Sequence, residues 1–269
     1  MKNDYYEDGK VGLYLNRINY QGDACTNLET LKLLQWQHLM TVPYENLDIL
    51  NNIPLNLNAD ALFDKIVMKQ RGGYCFELNG AFIHLLKSLG FSVKQYAGRF
   101  MDTSGIIKMR THRVLLVSLD KERYMCDVGV RTESPRYPLL LTEELVQTDG
   151  VCDYRFRKDP FFGWVLMRKE QGKEWMDLFA FTEEEQLDDD YVMLSYYCEK
   201  HPDSQFNKFM KVSLFLPDHM INIVENDLWK YKNANKEGVV HIKNNDEAID
   251  ILTSDFGIFV PESYRTFLV

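Results

Sequence analysis

An α+β chain of more than one domain is what this sequence predicts, and three observations carry it. Before Gly90, apolar residues recur at steps of three and four, the period of a helix. From Phe91 the texture changes to short alternating runs rich in β-branched and aromatic residues, the period of a strand. Beyond residue 195, short strand patterns are mixed with a further helical stretch. An N-terminal helical bundle, a central β-barrel and a C-terminal α/β part follow from these textures, with boundaries at 1–90, 91–195 and 196–269. A length of 269 residues leaves room for one large domain or two to three small ones.

Residues 9–20, with Leu13, Tyr14, Arg17 and Ile18, read as a short helical fragment. Residues 23–41 read as a stronger helix, capped by Thr26 or Asn27. It must stop before Pro43, because the residue ahead of a proline is pushed out of the helical region. Val42-Pro43-Tyr44-Glu45-Asn46-Leu47 is then an irregular connection. Asn58 or Asp60 opens another helix through Leu62, Ile66 and Val67. The next helix shows Leu78, Ala81, Phe82, Leu85, Leu86 and Leu89 on one face, places His84 on the polar side, and ends at Gly90 in a left-handed cap. In the β part, 91–96, 110–119 and 123–130 read as strands, with Asp120-Lys121 as a hairpin turn. Runs at 154–156, 164–168 and 175–181 add shorter strands, and the acidic stretch 183–190 reads as a solvated loop. Tyr191 opens a helix that Pro202 interrupts, 210–215 is a strand, and 246–252 is a helix.

The composition, 45% apolar and 26% charged, is that of an ordinary globular protein. A formal charge of −9 argues against a general nucleic-acid binder, which shows a basic face. No stretch approaches the ~18 uninterrupted apolar residues of a membrane span. The N-terminal residues lack the apolar core of a signal peptide, so a cytoplasmic location is expected. Five scattered cysteines without a Cys-x-x-Cys pair point to a reduced protein, not to a disulfide framework. The six histidines are equally scattered, and no metal site is expected.

Arg71-Gly72-Gly73-Tyr74-Cys75-Phe76-Glu77-Leu78-Asn79 is the stretch that carries chemistry. The glycine pair makes an open, sharply turned backbone, and Cys75 falls in the first turn of the helix that follows. A thiol there meets the positive end of the helix dipole, which favours the thiolate. A small buried cysteine is the plainer reading, since isolated cysteines are more often structural than reactive. A cysteine nucleophile needs a base, and the base needs an orienting partner. His112 and Asp127 are the candidates. If Asp120-Lys121 is a two-residue loop, Leu119 pairs with Glu122 and Val114 with Asp127, which makes His112 and Asp127 diagonal neighbours on one face. A three-residue loop puts them on opposite faces.

Those residues resemble a known family. Arg71-Gly72-Gly73-Tyr74-Cys75, Thr111-His112 and Asp127-Val128-Gly129 are similar to the three signature segments of the arylamine N-acetyltransferases. Val42-Pro43-Tyr44-Glu45-Asn46-Leu47 resembles that family's Val-Pro-Phe-Glu-Asn-Leu segment. Tyr14, Arg17 and Ile18, and Tyr197 with His201-Pro202-Asp203-Ser204, resemble two further segments. The resemblance implies a cysteine-proteinase-like Cys-His-Asp core, with the C-terminal α/β part acting as a lid. It implies two-step acetyl transfer, with Cys75 as nucleophile, His112 as base and Asp127 as its orienting partner. It also implies contacts to CoA from Lys108, Met109 and Thr111, and from Tyr197 and Asp203. Acetyl-CoA is then the acetyl donor, and a small aromatic amine or hydrazine the acceptor, with no metal, nucleic acid or membrane. The oligomeric state does not follow from it. Where the family continues Asp-Val-Gly-Phe-Gly, this chain has Val130 and Arg131, which leaves the acceptor preference open.

Two other functions compete. Transglutaminase-like and papain-like enzymes use Cys, His and Asp or Asn in the same chain order for amide chemistry. A non-catalytic module holding CoA or an aromatic ligand is the second, for which an aromatic share of 13% is only mild support.

Overall fold

The computed structural model describes residues 5–102, 106–265 and 267. The helical part comprises α1 (Asp8–Arg17), α2 (Leu28–Thr41), α3 (Leu47–Leu50), α4 (Ala59–Phe63) and α5 (Cys75–Ser88). The Asn27 side chain caps α2 by accepting from the Thr30 N–H at 2.8 Å, and Asn58 caps α4 by accepting from Ala61 at 2.8 Å. Past Phe63 the chain continues as a wider π-helical turn over Asp64–Met68.

Helix α5 departs from its expected amphipathic form. Every residue from Cys75 to Leu86 is buried, including His84, which the pattern placed on a polar side. The reason is its central position: α1 and α4 pack on one side of it and the barrel strands on the other. A helix buried all round carries its first residue deep into the molecule, and Cys75 is only 1% exposed. Gly90 closes α5 with φ +88°, in the left-handed region the sequence pattern requires.

Eight strands form one antiparallel sheet: β2 (Ser92–Phe100), β3 (His112–Leu119), β4 (Glu122–Cys126), β5 (Leu139–Leu140), β6 (Gln147–Thr148), β7 (Cys152–Asp159), β8 (Gly163–Glu170) and β9 (Met176–Glu185). Their spatial order is β5-β4-β3-β2-β9-β8-β7-β6. The two end strands nearly meet. The Gln147 amide donates to the Leu140 carbonyl at 2.9 Å and accepts from the Leu140 N–H at 2.7 Å, so one side chain bridges the gap of the barrel. Tyr96, Val114, Leu116, Tyr154, Phe156, Leu166, Phe179 and Phe181 fill the interior.

A second sheet, β1-β10-β11-β12-β13, joins β1 (Tyr44–Glu45) to β10 (Lys211–Phe215), β11 (Met220–Val224), β12 (Asp227–Lys232) and β13 (Asn235–His241). Segment 42–47 is therefore not wholly irregular: Tyr44 pairs with Ser213 and Glu45 with Val212. An alternation two residues long is too short to register as a strand in the sequence. Helix α6 (Asp190–Lys200) connects the two sheets, and α7 (Asn245–Ser254) covers the second, capped by Asn244.

The acidic stretch 183–190 is a second departure. Strand β9 runs on to Glu185, and Glu183 accepts from the Trp164 indole N–H at 2.7 Å and from Arg123 at 2.5 Å. Asp188 accepts from the buried Arg113 at 2.5 Å. Its partners are far away in sequence, so the charge run alone reads as solvated.

Candidate active site

The loop ahead of Cys75 is shaped by backbone crowding. A side chain at Gly72 would place its Cβ 1.9 Å from the Pro43 carbonyl oxygen, so only glycine fits. The Glu45 N–H donates to the Gly73 carbonyl at 2.9 Å, which ties the Val42–Glu45 segment to the glycine pair. Glu77, third residue of α5, reaches back to accept from the Tyr74 N–H at 3.1 Å and so secures the helix start.

Beneath this start lies a buried charge cluster. Arg71 donates to Glu45 at 2.7 Å and to Asp48 at 2.8 Å, and Tyr264 also bonds Asp48. Lys65 reaches Asp48 and Glu77, each at 2.7 Å. Burial alone raises the Asp48 carboxyl, yet Lys65 and Arg71 overcome it and hold the group well below the usual carboxylate range. Glu77 is pushed up to about 7 by burial, against the pull of Lys65 and with the push of Asp48 and Glu45. Replacing Arg71 by methionine leaves Glu45 and Asp48 short of a buried cation. The expected loss of stability is about 3–5 kcal/mol, read as a lower denaturant midpoint; an unchanged midpoint contradicts it.

The hairpin has the even loop. Leu119 pairs with Glu122 and Leu115 with Cys126 across Asp120 and Lys121, both at positive φ. This register brings His112 and Asp127 together: Nε2 of His112 lies 2.5 Å from Oδ2 of Asp127, and both side chains are fully buried. Oδ1 of Asp127 accepts from Asn79 Nδ2 at 2.9 Å and from the Gly129 N–H at 2.8 Å. An acceptor-only carboxylate with these donors takes a proton-bearing Nε2 from His112, which leaves Nδ1 as the basic nitrogen. That Nδ1 is buried and has no partner among the described residues. The imidazole itself packs between Phe100 and Phe179, with ring centroids at 5.2 and 5.0 Å.

Cys75 comes to this place from the helical side. Its thiol donates to the carbonyl of Thr111, the residue before His112, at 3.2 Å. Burial pushes the thiol well above its ordinary range, and Cys198 and Asp127 push the same way. The backbone N–H groups of Phe76 and Arg113 pull it in the opposite direction. The sulfur is therefore a thiol until a base in contact removes its proton. Gly129 sets the closeness of the two halves: a Cβ there would lie 2.8 Å from the Cys75 Cα. Backbone cannot yield as a side-chain tip can, so Gly129→Ala is expected to slow reaction at the Cys75 sulfur by about 10²-fold with the fold retained. Wild-type turnover in that variant, measured beside its circular dichroism, contradicts the expectation.

The remaining predicted residues fall into two groups. Lys108 forms an ion pair with Asp102 at 2.7 Å, and Met109 is exposed on the same β2–β3 connection, just ahead of Thr111. Tyr197 stacks on His201 with centroids 4.6 Å apart at the end of α6, and the Asp203 N–H donates to His201 Nδ1 at 3.1 Å. Asn79 and Gln35 hold Asp127 in place, contacts that motif reading passed over. Asn79 holds Asp127, its Oδ1 accepts from the Val128 N–H at 3.0 Å, and Gln35 accepts from the Asp127 N–H at 3.3 Å. Asn79 lies four residues from Cys75 on α5, a spacing that put it on the same helical face. Arg131 has φ +58°, the left-handed region where the family pattern has glycine. Val130 is buried in the barrel core.

Among the described residues no group of side chains suits a metal ion, and no helix is long and apolar enough to cross a membrane. A family model described as N-acetyltransferase matches residues 27–265. The chain is 32% identical to the arylamine N-acetyltransferase of Escherichia coli, over 95% of this chain and 91% of that one. It is 29% identical to an arylamine N-acetyltransferase / N-hydroxyarylamine O-acetyltransferase of Salmonella typhimurium, over 92% and 88%. The solved arylamine N-acetyltransferase of Salmonella typhimurium superposes with a TM-score of 0.89 at 28% identity, covering 94% of this chain and 92% of that chain. The Mycobacterium marinum enzyme, solved in complex with CoA, gives 0.87 at 31% identity and covers 92% of each. With these matches spanning nearly its whole length, the chain belongs to the arylamine N-acetyltransferase family.

Proposed function

We propose that this protein transfers the acetyl group of acetyl-CoA to the nitrogen of arylamines or arylhydrazines through an acetyl-Cys75 intermediate. The observation that carries the reading is one constellation: a buried thiol at a helix start, bonded to the carbonyl of Thr111, and next in sequence a histidine whose Nε2 is committed to a carboxylate and whose Nδ1 is not. In the first half-reaction His112 Nδ1 takes the Cys75 proton and the sulfur attacks the thioester carbonyl carbon. The bond to the CoA sulfur breaks, and CoA leaves with the proton from His112. In the second, the amine nitrogen attacks the acetyl-Cys75 carbonyl, His112 receives the amine proton, and the Cys75 sulfur leaves. The N–H groups in the first turn of α5 supply donors for the negative charge that develops on the carbonyl oxygen.

The acceptor class follows from protonation. Arylamines are neutral near pH 7, whereas an alkyl amine such as lysine, with a pKa of ~10.4, is mostly a cation and a poor nucleophile. A thiol 1% exposed suits a donor that delivers its acyl group at the end of a thin chain, as CoA does. Lys108, Met109 and Thr111 on one side, and Tyr197 and Asp203 on the other, are the proposed contacts to CoA. A phosphate would compete with Asp102 for Lys108. In this reading residues 1–90 carry the nucleophile, 91–195 the base and its partner, and 196–269 the lid. Steady-state kinetics with acetyl-CoA and a panel of arylamines and hydrazines tests it. Parallel double-reciprocal lines are expected, and intersecting lines would remove the covalent intermediate. Hydrolysis of amides with no acetyl transfer favours the transglutaminase-like alternative.

A further inference from the structure

Adjacent residues on a strand point to opposite faces, and here the two faces do different work. His112 turns into the barrel, between Phe100 and Phe179. Arg113 turns the other way, into the space between α5 and α6, and is fully buried. Its Nη2 donates to Asp188 Oδ1 at 2.5 Å and to Gln95 Oε1, while Gln95 Nε2 also donates to Asp188, at 3.1 Å. The guanidinium lies 4.5 Å from the ring centroid of Tyr191 in α6. Nη1 presses on α5 at Gly80, where a Cβ would lie 2.8 Å from it.

The peptide unit of the same residue reaches the reaction centre. Its carbonyl accepts from Asn79 Nδ2 at 2.7 Å, and the carbonyl of Thr111, two residues earlier, accepts from the Cys75 thiol at 3.2 Å. That Asn79 amide also donates to Asp127 at 2.9 Å. We propose that Arg113 is a positioning residue for acetyl transfer: its clamped guanidinium fixes strand β3 so that its own carbonyl stays on Asn79 and the Thr111 carbonyl at the strand's start stays on the Cys75 thiol. The proposal rests on the reading of Cys75 as the acetyl-carrying nucleophile. Its leverage is geometric, because Arg113 holds the amide that steadies the aspartate and lies on the strand whose start meets the cysteine. A displacement of ~1 Å in such a centre costs on the order of 10²-fold in rate.

An ordinary core ion pair would predict something else. Breaking it would lower stability, yet each molecule that remains folded would keep a wild-type reaction centre. Three single variants separate the two. Arg113→Lys keeps the charge and loses the planar fork. Gly80→Ala pushes a methyl group at Nη1 and at Leu62. Asp188→Asn removes the anion from a side chain that is itself 30% exposed. The measurements are the single-turnover rate of Cys75 acetylation at saturating acetyl-CoA, the KM for acetyl-CoA, and the pH at which iodoacetamide alkylation of Cys75 is half-maximal. Tyr44, Tyr74, Tyr191, Cys198, His112 and Asp127, the other titratable groups around the sulfur, are unchanged in all three, and Tyr191 also meets the Arg113 guanidinium.

The expected result is acetylation slowed by about 10- to 100-fold, with KM within about twofold and the alkylation midpoint moved to higher pH. Folded variants that acetylate at the wild-type rate with an unmoved midpoint overturn the proposal, whatever their melting temperature. Should Arg113→Lys not fold, Gly80→Ala and Asp188→Asn decide. Wild-type protein that never acetylates on Cys75 would instead remove the nucleophile reading.

Discussion

Replacing Asp127 by asparagine is expected to slow acetyl transfer on the order of 10³- to 10⁴-fold while the fold survives. The surroundings dictate how the new amide sits. Two donors, Asn79 Nδ2 and the Gly129 N–H, face the Oδ1 position and require an oxygen there. The amide nitrogen is therefore turned toward His112. Nε2 of the imidazole must now accept, the ring takes the other tautomer, and Nδ1 carries the proton. A protonated Nδ1 cannot receive one from Cys75. The variant should bind acetyl-CoA and melt near the wild type, yet acetylate Cys75 very slowly. Near-wild-type acetylation would mean that Asp127 does not set the tautomer, and the role given to it here would fail.

Cys75→Ala is expected to remove transfer to the background rate, a loss of about 10⁴-fold or more. Of the four other thiols, Cys25 is exposed in the loop ahead of α2 and three are buried. Cys198 lies in the same apolar cluster, but its thiol is raised to about 12 by burial and the neighbouring Glu199, against a weaker pull from Lys211. Cys126 and Cys152 are buried in or beside the barrel wall. Retained acetylation of an arylamine by the alanine variant, assayed by product formation, would favour a protein that holds its ligands without a covalent step.

Much of the fold was legible because it rests on local signals. Asn27 and Asn58 cap the helices they were expected to open, and Gly90 ends α5 with the positive φ that its position demands. Asp120 and Lys121 both adopt the left-handed backbone of a tight hairpin, and the even register that joins His112 to Asp127 follows from that turn. The departures share one cause, partners remote in sequence. His84 looked polar because a helical pattern cannot show that strands pack on its far side. Tyr44 and Glu45 gain strand character only from β10, some 170 residues later. Asp188 looked solvated because Arg113 and Gln95, which hold it, belong to other strands. Of the proposed site, the meeting of His112 with Asp127 was legible, because the hairpin register follows from local turn residues. Asn79 and Gln35 hold Asp127 through hydrogen bonds whose direction no spacing reveals.

Intact-protein mass spectrometry tests the central claim most directly. The protein is incubated with acetyl-CoA in the absence of an acceptor, digested and mapped, and a second sample receives an arylamine before digestion. The account predicts one acetyl group on Cys75 in the first sample and its loss in the second, with acetylated arylamine appearing in equal amount. Protein that carries no acetyl group on Cys75, or an acetyl-Cys75 that persists when the arylamine is added, would contradict it.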